Sequence, residues 1–258
     1  MQTETGDIRR KSFDIFPAVS VPDLFMRRVI DNANRTLFDP KEVRERIGKK
    51  LEDQTGEEFE TMYEYLEKRA DLRLKETVPA KELFKKLLKT VVETGMPYIF
   101  FRDTVNRLNP NKHAGMVYST QLCTEICQNT SAAEFKEEVV DADGSVAIRY
   151  TPGETVVCNL ASINVAKVYT PEKIKKIIPI AMRILDNVIT LNYYPVKEAE
   201  LTAMKYRSVG LGFLGLAEHL ATNHMMYDGG FSRDYVDKLF EQYAFSTLQA
   251  STDLAQER

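Results

Sequence analysis

Apolar and polar positions alternate at helical spacing over several stretches of the chain. The clearest covers residues 79–93, where Leu83, Leu87, Leu88 and Val91 share one face. Pro79 suits the first helical position there and Gly95 the C-terminal cap. A second face comprises Ile174, Ile177, Ile178, Ala181, Ile184, Leu185 and Val188, behind Thr170 as cap and Pro171 as first residue. Pro179 interrupts that pattern and predicts a kink. Residues 57–74 are helically patterned and rich in Glu, Lys and Arg. A polar helix is expected over 198–206 and a long amphipathic one over 232–256. The first forty residues read as irregular, apart from an apolar run at 21–30 whose Pro22 and Asp23 suit a helix start.

Between these stretches lie strand signals. Pro97-Tyr-Ile-Phe-Phe101 reads as a short buried strand, and residues 155–168 are apolar and β-branched. Residues 134–151 are polar around Asp141-Ala-Asp-Gly144, the signature of a hairpin. Residues 106–115 are turn-rich, with Asn, Pro and Gly. Helices alternating with strands argue for an α/β arrangement.

Composition narrows the classes. Over 258 residues, 35 basic against 38 acidic side chains leave a net charge of −3, with no basic excess for a nucleic-acid polymer. No stretch is apolar for long enough to span a membrane, and the Met-Gln-Thr-Glu-Thr-Gly start has no apolar signal region. A cytoplasmic location is the expectation. Three cysteines, Cys123, Cys127 and Cys158, are too few and odd in number for a disulfide scaffold.

Three motifs carry candidate chemistry. Gly210-x-Gly212-x-x-Gly215 copies the spacing of a dinucleotide-binding fingerprint, but a clear preceding strand is missing. Glycines that let a strand and a helix pack closely are the better account. Cys123-x-x-x-Cys127 lacks the further ligands of a structural metal site, since only Cys158 and the scattered His113, His219 and His224 remain. Gln121-Leu-Cys123-Thr-Glu125 is different. In an extended chain, residues 121, 123 and 125 point to one side and bring an amide, a thiol and a carboxylate together. A thiol carries a radical or attacks as a nucleophile, a carboxylate accepts a proton and an amide holds a hydroxyl. Spacing alone leaves an accidental polar alternation equally open.

The segment Ser119-Thr-Gln-Leu-Cys-Thr-Glu-Ile126 resembles the loop that crosses the barrel of ribonucleotide reductase large subunits. Asp14-Ile-Phe-Pro-Ala18, Pro22-Asp-Leu-Phe-Met26, Glu93-Thr-Gly-Met-Pro-Tyr98, Cys158-Asn-Leu-Ala-Ser-Ile-Asn164 and Arg207-Ser-Val-Gly-Leu-Gly212 resemble further stretches of the class I subunit, in the same order. The resemblance covers nearly the whole chain. It implies part of a ten-stranded α/β barrel, with the catalytic cysteine on a loop inside. It also implies roles. Cys123 matches the cysteine that becomes a thiyl radical and removes the ribose 3′ hydrogen. Glu125 matches the base for the 3′-hydroxyl proton. Gln121 falls where the family usually has Asn, which bonds substrate hydroxyls. Cys158 matches one member of the redox pair that reduces the 2′ carbon and ends as a disulfide. Cys127 has no family role and reads as a packing residue.

The same resemblance implies a catalytic fragment of ribonucleoside-diphosphate reductase, needed for deoxyribonucleotide synthesis and DNA replication. No cofactor or metal is expected in this chain. The radical would come from a separate metal-containing small subunit, with adenosylcobalamin as the alternative, and the electrons from an external thioredoxin or glutaredoxin-type reductant. Residues 1–258 would form a partial catalytic barrel domain, without the N-terminal regulatory region, the upstream partner of Cys158 or the C-terminal part. Such a piece would need the remaining large-subunit fragments and would be poorly stable or self-associating alone, because open sheet edges invite pairing. Two other readings stand beside it: a non-catalytic remnant that binds and modulates intact reductase subunits, and a dinucleotide-binding dehydrogenase built on the glycines.

Overall fold

A computed structural model describes residues 15–258, as two compact units that meet in sequence at Val156 and Val157. The Met-Gln-Thr-Glu-Thr-Gly start and Asp14 of the Asp14–Ala18 motif lie outside the described residues.

The first unit contains β1 (Ala18–Val21), α1 (Asp23–Ile30), β2 (Asn34–Phe38), α2 (Pro40–Ile47), a 3-10 turn (Leu51–Asp53), α3 (Gly56–Lys68), β3 (Lys75–Pro79), α4 (Ala80–Thr94), β4 (Tyr98–Phe101), α5 (Arg102–Leu108), β5 (Glu134–Val140) and β6 (Val146–Thr151). β1 runs parallel to β4, with Ala18 opposite Tyr98 and Val21 opposite Phe101. Val21, Phe25 and Ala80 form the core beneath this pair, joined by Val19, Leu83, Phe84 and Ile99. β2 and β3 are antiparallel. At Thr36 the backbone N–H and C=O are both met by the hydroxyl of Tyr63 from α3, at 2.6 and 2.7 Å. Tyr63 is itself fully buried, stacked on Phe59 beside Leu24.

The first forty residues are thus less irregular than their pattern suggests, since β1 and β2 lie within them. Both are only four or five residues long, and their paired residues are 37 or more positions away. The helix expected over 57–74 stops at Lys68. Leu72 turns back to bury with Val43 and Leu66. The Glu42 carboxylate accepts the Arg73 and Leu74 N–H groups, in place of helical carbonyls. Pro79 ends β3 and precedes α4 rather than opening it, whereas Gly95 takes the left-handed cap (φ 73°) as expected.

Two helix starts in this unit share one distant cap. Neither Pro22 before α1 nor Thr55 before α3 makes a side-chain cap bond. The buried Asp103 supplies both, its Oδ2 accepting from Asp23 N at 2.7 Å and its Oδ1 from Gly56 N at 2.9 Å. A carboxylate there also meets the positive ends of both helix dipoles.

β5 and β6 form the expected hairpin around 141–144. A register shift between Phe135 and Glu137 places an extra residue in β5. Phe135, Val140, Val146, Ile148 and Tyr150 then fall on one face and are all exposed. The other face carries the Glu137–Arg149 ion pair.

The second unit contains β7 (Leu160–Asn164), α6 (Pro171–Leu191), α7 (Lys197–Tyr206), β8 (Gly210–Leu214), α8 (Leu216–Thr222) and α9 (Gly230–Glu257). Thr170 caps α6 through Lys173 N, and Pro171 opens it, as its sequence predicts. The assigned helix is continuous across Pro179. Its buried stripe is Ile174, Ile178, Met182, Leu185, Asp186 and Ile189, and Ile184 and Val188 are exposed. Ile174, Ile178 and Met182 of it cluster with Leu239, Tyr243, Ala250 and Leu254 of α9. Asp186 takes Arg207 Nε at 2.7 Å and Arg258 Nε at 3.0 Å.

The glycines of 210–215 lie on β8 and at its end, where a dinucleotide fingerprint would need a loop after the strand. β8 runs parallel to β7, with Gly212 opposite Ser162. A Cβ at Gly215 would sit 2.7 Å from Asn164 Oδ1, and its φ of 75° favours glycine as well. Close packing is therefore what Gly215 serves. The protein is mixed α/β. Among the described residues the strands form four separate two-stranded sheets, and no closed barrel is seen, in contrast to the barrel the sequence leads one to expect.

Candidate functional site

The segment 109–130 leaves α5, makes a series of turns and returns without regular structure to the foot of β5. Local chemistry explains the irregularity. Asn109 Oδ1 accepts Asn111 N at 2.9 Å, an Asx turn that ends the helical path. Further on, Thr130 N donates to Met116 O at 3.1 Å, and Thr130 Oγ1 accepts from Tyr118 N and Ser119 N at 3.1 and 3.3 Å. Residues 116–130 are thereby drawn into a loop with its two ends together.

Cys123 lies near the far end of this loop and is exposed, as is Glu125. The segment is not extended. Thr124 N donates to Gln121 O at 3.2 Å and to Gln121 Oε1 at 2.6 Å. Gln121 N reaches Ile126 O at 3.4 Å. Thr124 takes a φ of 72°, which a β-branched residue rarely adopts. The alternation that would align residues 121, 123 and 125 on one strand face is replaced by a turn. The Gln121 amide closes that turn with its oxygen.

Cys127 is half-buried. Burial first, and then the charge of Glu125, push its thiol up, so it stays protonated at neutral pH. Its Sγ lies 3.8 Å from Thr124 O, a weak contact that keeps it within the loop. Cys158 lies in the second unit, exposed, in the irregular residues just before β7. The next residue, Asn159, is anchored to Leu185 O at 2.8 Å. Among the described residues no group of three or more His, Cys, Asp and Glu side chains is placed to hold a metal ion, and no helix is long and apolar enough to cross a membrane.

Three residues that the sequence reading did not single out complete the loop. Asn106, Asn109 and Asn129 are buried beneath it. Asn109 Nδ2 donates to Asn129 Oδ1 at 2.7 Å, and Asn129 Nδ2 donates to Asn111 O at 2.9 Å. The only sequence signal is the density of asparagine around 106–111 and at Asn129.

Comparison with known proteins agrees with the resemblance that the sequence motifs carry. The family model for the ribonucleotide reductase barrel domain matches residues 1–258. The chain thus belongs to the ribonucleotide reductase barrel-domain family. It is 41% identical over 261 residues to the ribonucleoside-diphosphate reductase subunit alpha of Synechocystis, covering all of this chain and 31% of that protein. The subunit alpha of Treponema pallidum is 40% identical over 265 residues, again with 31% of its length covered. That of Helicobacter pylori strain J99 is 38% identical over 294 residues, with 36% covered. The chain spans about a third of the length of these relatives.

Proposed function

We propose that this chain is a catalytic segment of a ribonucleoside-diphosphate reductase alpha subunit, and that it works when completed by the parts its relatives possess. The family match over the whole chain, with Cys123 exposed on a loop tied at its base, carries this reading. Cys123 as a thiyl radical removes the 3′ hydrogen of the ribose and becomes a thiol. Glu125 accepts the 3′-hydroxyl proton. Cys158 and a cysteine of another segment give up two electrons and two protons as the 2′ hydroxyl leaves as water, closing a disulfide, and the Cys123 thiol returns its hydrogen to the 3′ carbon and becomes the thiyl radical again. Gln121 holds the turn that presents Cys123. An S–H hydrogen is weakly held, so exchange with a ribose carbon runs close to reversibly.

The reading brings partners with it. A separate metal-containing subunit supplies the radical, with adenosylcobalamin the alternative source. A thioredoxin or glutaredoxin-type protein reduces the disulfide in the cytoplasm. The missing strands close a barrel around the Cys123 loop and shield the radical from water.

The test is cytidine diphosphate reduction by this chain, mixed with the remaining large-subunit pieces and a radical-generating subunit, beside Cys123→Ala. Product formed only by the full mixture, and abolished in the variant, supports the proposal. An assembled complex without activity replaces it with a non-catalytic, modulating role.

A further inference from the structure

The loop that carries Cys123 has an unusually polar foundation for a buried place. Asn106, Asn109, Asn129 and Val117 are all buried, Asn129 with 1% of its surface exposed. Buried amides need partners for every donor and acceptor, and satisfied ones select one arrangement over its neighbours. Here the partners lie at both ends of the loop. Asn106 Nδ2 donates to Val117 O at 3.0 Å while Val117 N donates to Asn106 Oδ1 at 2.8 Å, so one side chain pairs with the loop's first stem as a neighbouring strand would. The second nitrogen bond of Asn106, to Arg102 O at 3.0 Å, fixes that amide to α5. The other stem is held by the Asn109–Asn129 bond and by Asn129 to Asn111 O. Thr130 then ties the stems to each other through Met116, Tyr118 and Ser119. Gly115 leaves the room, since a Cβ there would come within 3.2 Å of Asn129 Nδ2.

We propose that Asn106, Asn109 and Asn129 are positioning residues, a buried amide clasp that closes residues 116–130 at the base and sets where Cys123 stands. None of them touches the reacting sulfur. They act through the stems, which leave the turn at Gln121–Thr124 with little freedom to wander. The inference rests on the catalytic reading of Cys123 for its importance but not for its test, which needs no turnover.

The experiment compares the whole chain with Asn129→Ala, Asn106→Ala, Asn106→Asp and Thr130→Val, each first shown to keep its far-ultraviolet spectrum. Thr130→Val is the mild variant, isosteric and lacking only the acceptor for Tyr118 and Ser119, should the asparagine changes prevent folding. Two readouts follow: hydrogen exchange of residues 116–130, and the alkylation rate of Cys123 by iodoacetamide, with Cys158 as internal reference. The expected result is exchange faster by about fivefold or more at Val117 and Thr130, with Cys123 alkylation altered to a similar degree. Exchange in α6 and α9 and alkylation of Cys158 stay unchanged. Asn106→Asp, which keeps the acceptor for Val117 N, falls between Asn106→Ala and the parent. Folded variants with Cys123 alkylation within about twofold of the parent would overturn the proposal, as would equal changes at Cys123 and Cys158. Loss of the Cys123→Ala effect in the reconstituted assay would remove the catalytic reading and leave the clasp standing.

Discussion

The side-chain oxygen of Gln121 accepts the backbone N–H of Thr124 at 2.6 Å, with Cys123 between them. The thiol therefore stands on a turn whose tightness depends on the side chain two residues before it. Side-chain caps of this kind contribute about 1 kcal/mol. Gln121→Ala leaves the weaker bond from Thr124 N to the Gln121 carbonyl. The expected outcome is an alkylation rate of Cys123, relative to Cys158, that changes by about fivefold, with global stability within ~0.5 kcal/mol of the parent. An unchanged ratio would mean that the backbone bond holds the turn alone.

Tyr63→Phe should be among the more costly conservative changes in the first unit. It removes one oxygen and leaves both the N–H and the C=O of the buried Thr36 without the partner they share. Unpaired buried groups cost about 1–3 kcal/mol each way of counting, so a loss of roughly 2 kcal/mol is expected in urea unfolding. A loss below about 0.5 kcal/mol would show that water replaces the hydroxyl there.

Glu67 links stability to pH. Burial alone would push its carboxyl up, but hydrogen bonds from Arg28 and Thr36, and the Arg28 charge, outweigh it and hold the group below its ordinary value. A carboxyl depressed in the folded state stabilises the fold fully above its unfolded value, about 4.3. That contribution disappears as pH falls through the lower, folded value. Stability measured down the acid range should therefore fall less steeply in Glu67→Gln than in the parent. Parallel acid limbs would exclude Glu67 as a contributor.

The exposed apolar face of the β5–β6 hairpin predicts self-association. Two-stranded ribbons are marginal alone, and contiguous apolar surface of this kind seeks cover. Ile148→Lys places a charge beside Glu138, its cross-strand neighbour. Light scattering of concentrated solutions should fall, while the unfolding midpoint moves by no more than ~0.5 kcal/mol equivalent. Unchanged scattering would assign any association to another surface.

Local signals were the legible ones. Thr170 and Pro171 start α6, and Gly95 ends α4, because a cap is decided by residues within one turn. The end of α3 was not legible, since the acceptor that replaces its helical bonds is Glu42, on the other side of the unit in sequence. The buried stripe of α6 was right at Ile174, Ile178 and Leu185. It missed Ile189, and it missed Met182 because the α9 side chains define which positions there are covered. At the candidate site, residue identities are what carry the proposed chemistry. The conformation escaped because a period-two pattern cannot reveal that Gln121 folds back on Thr124. The clasp beneath was hidden for a similar reason: asparagine in a turn-rich stretch reads as punctuation, and only the pairing of Asn109 with Asn129, 20 residues apart, gives it a task.

Asp103 adds a matter of timing. It reaches back 80 residues to Asp23 and 47 to Gly56, and it starts both helices. A ribosome delivers α1 and α3 well before it delivers their common cap. Until residue 103 emerges, the N–H groups of Asp23 and Gly56 lack that acceptor, whatever their own sequences favour. The order of synthesis is thus not the order of completion, and a chain stopped short of residue 103 would keep both helical sequences while lacking the one carboxylate that anchors their first turns.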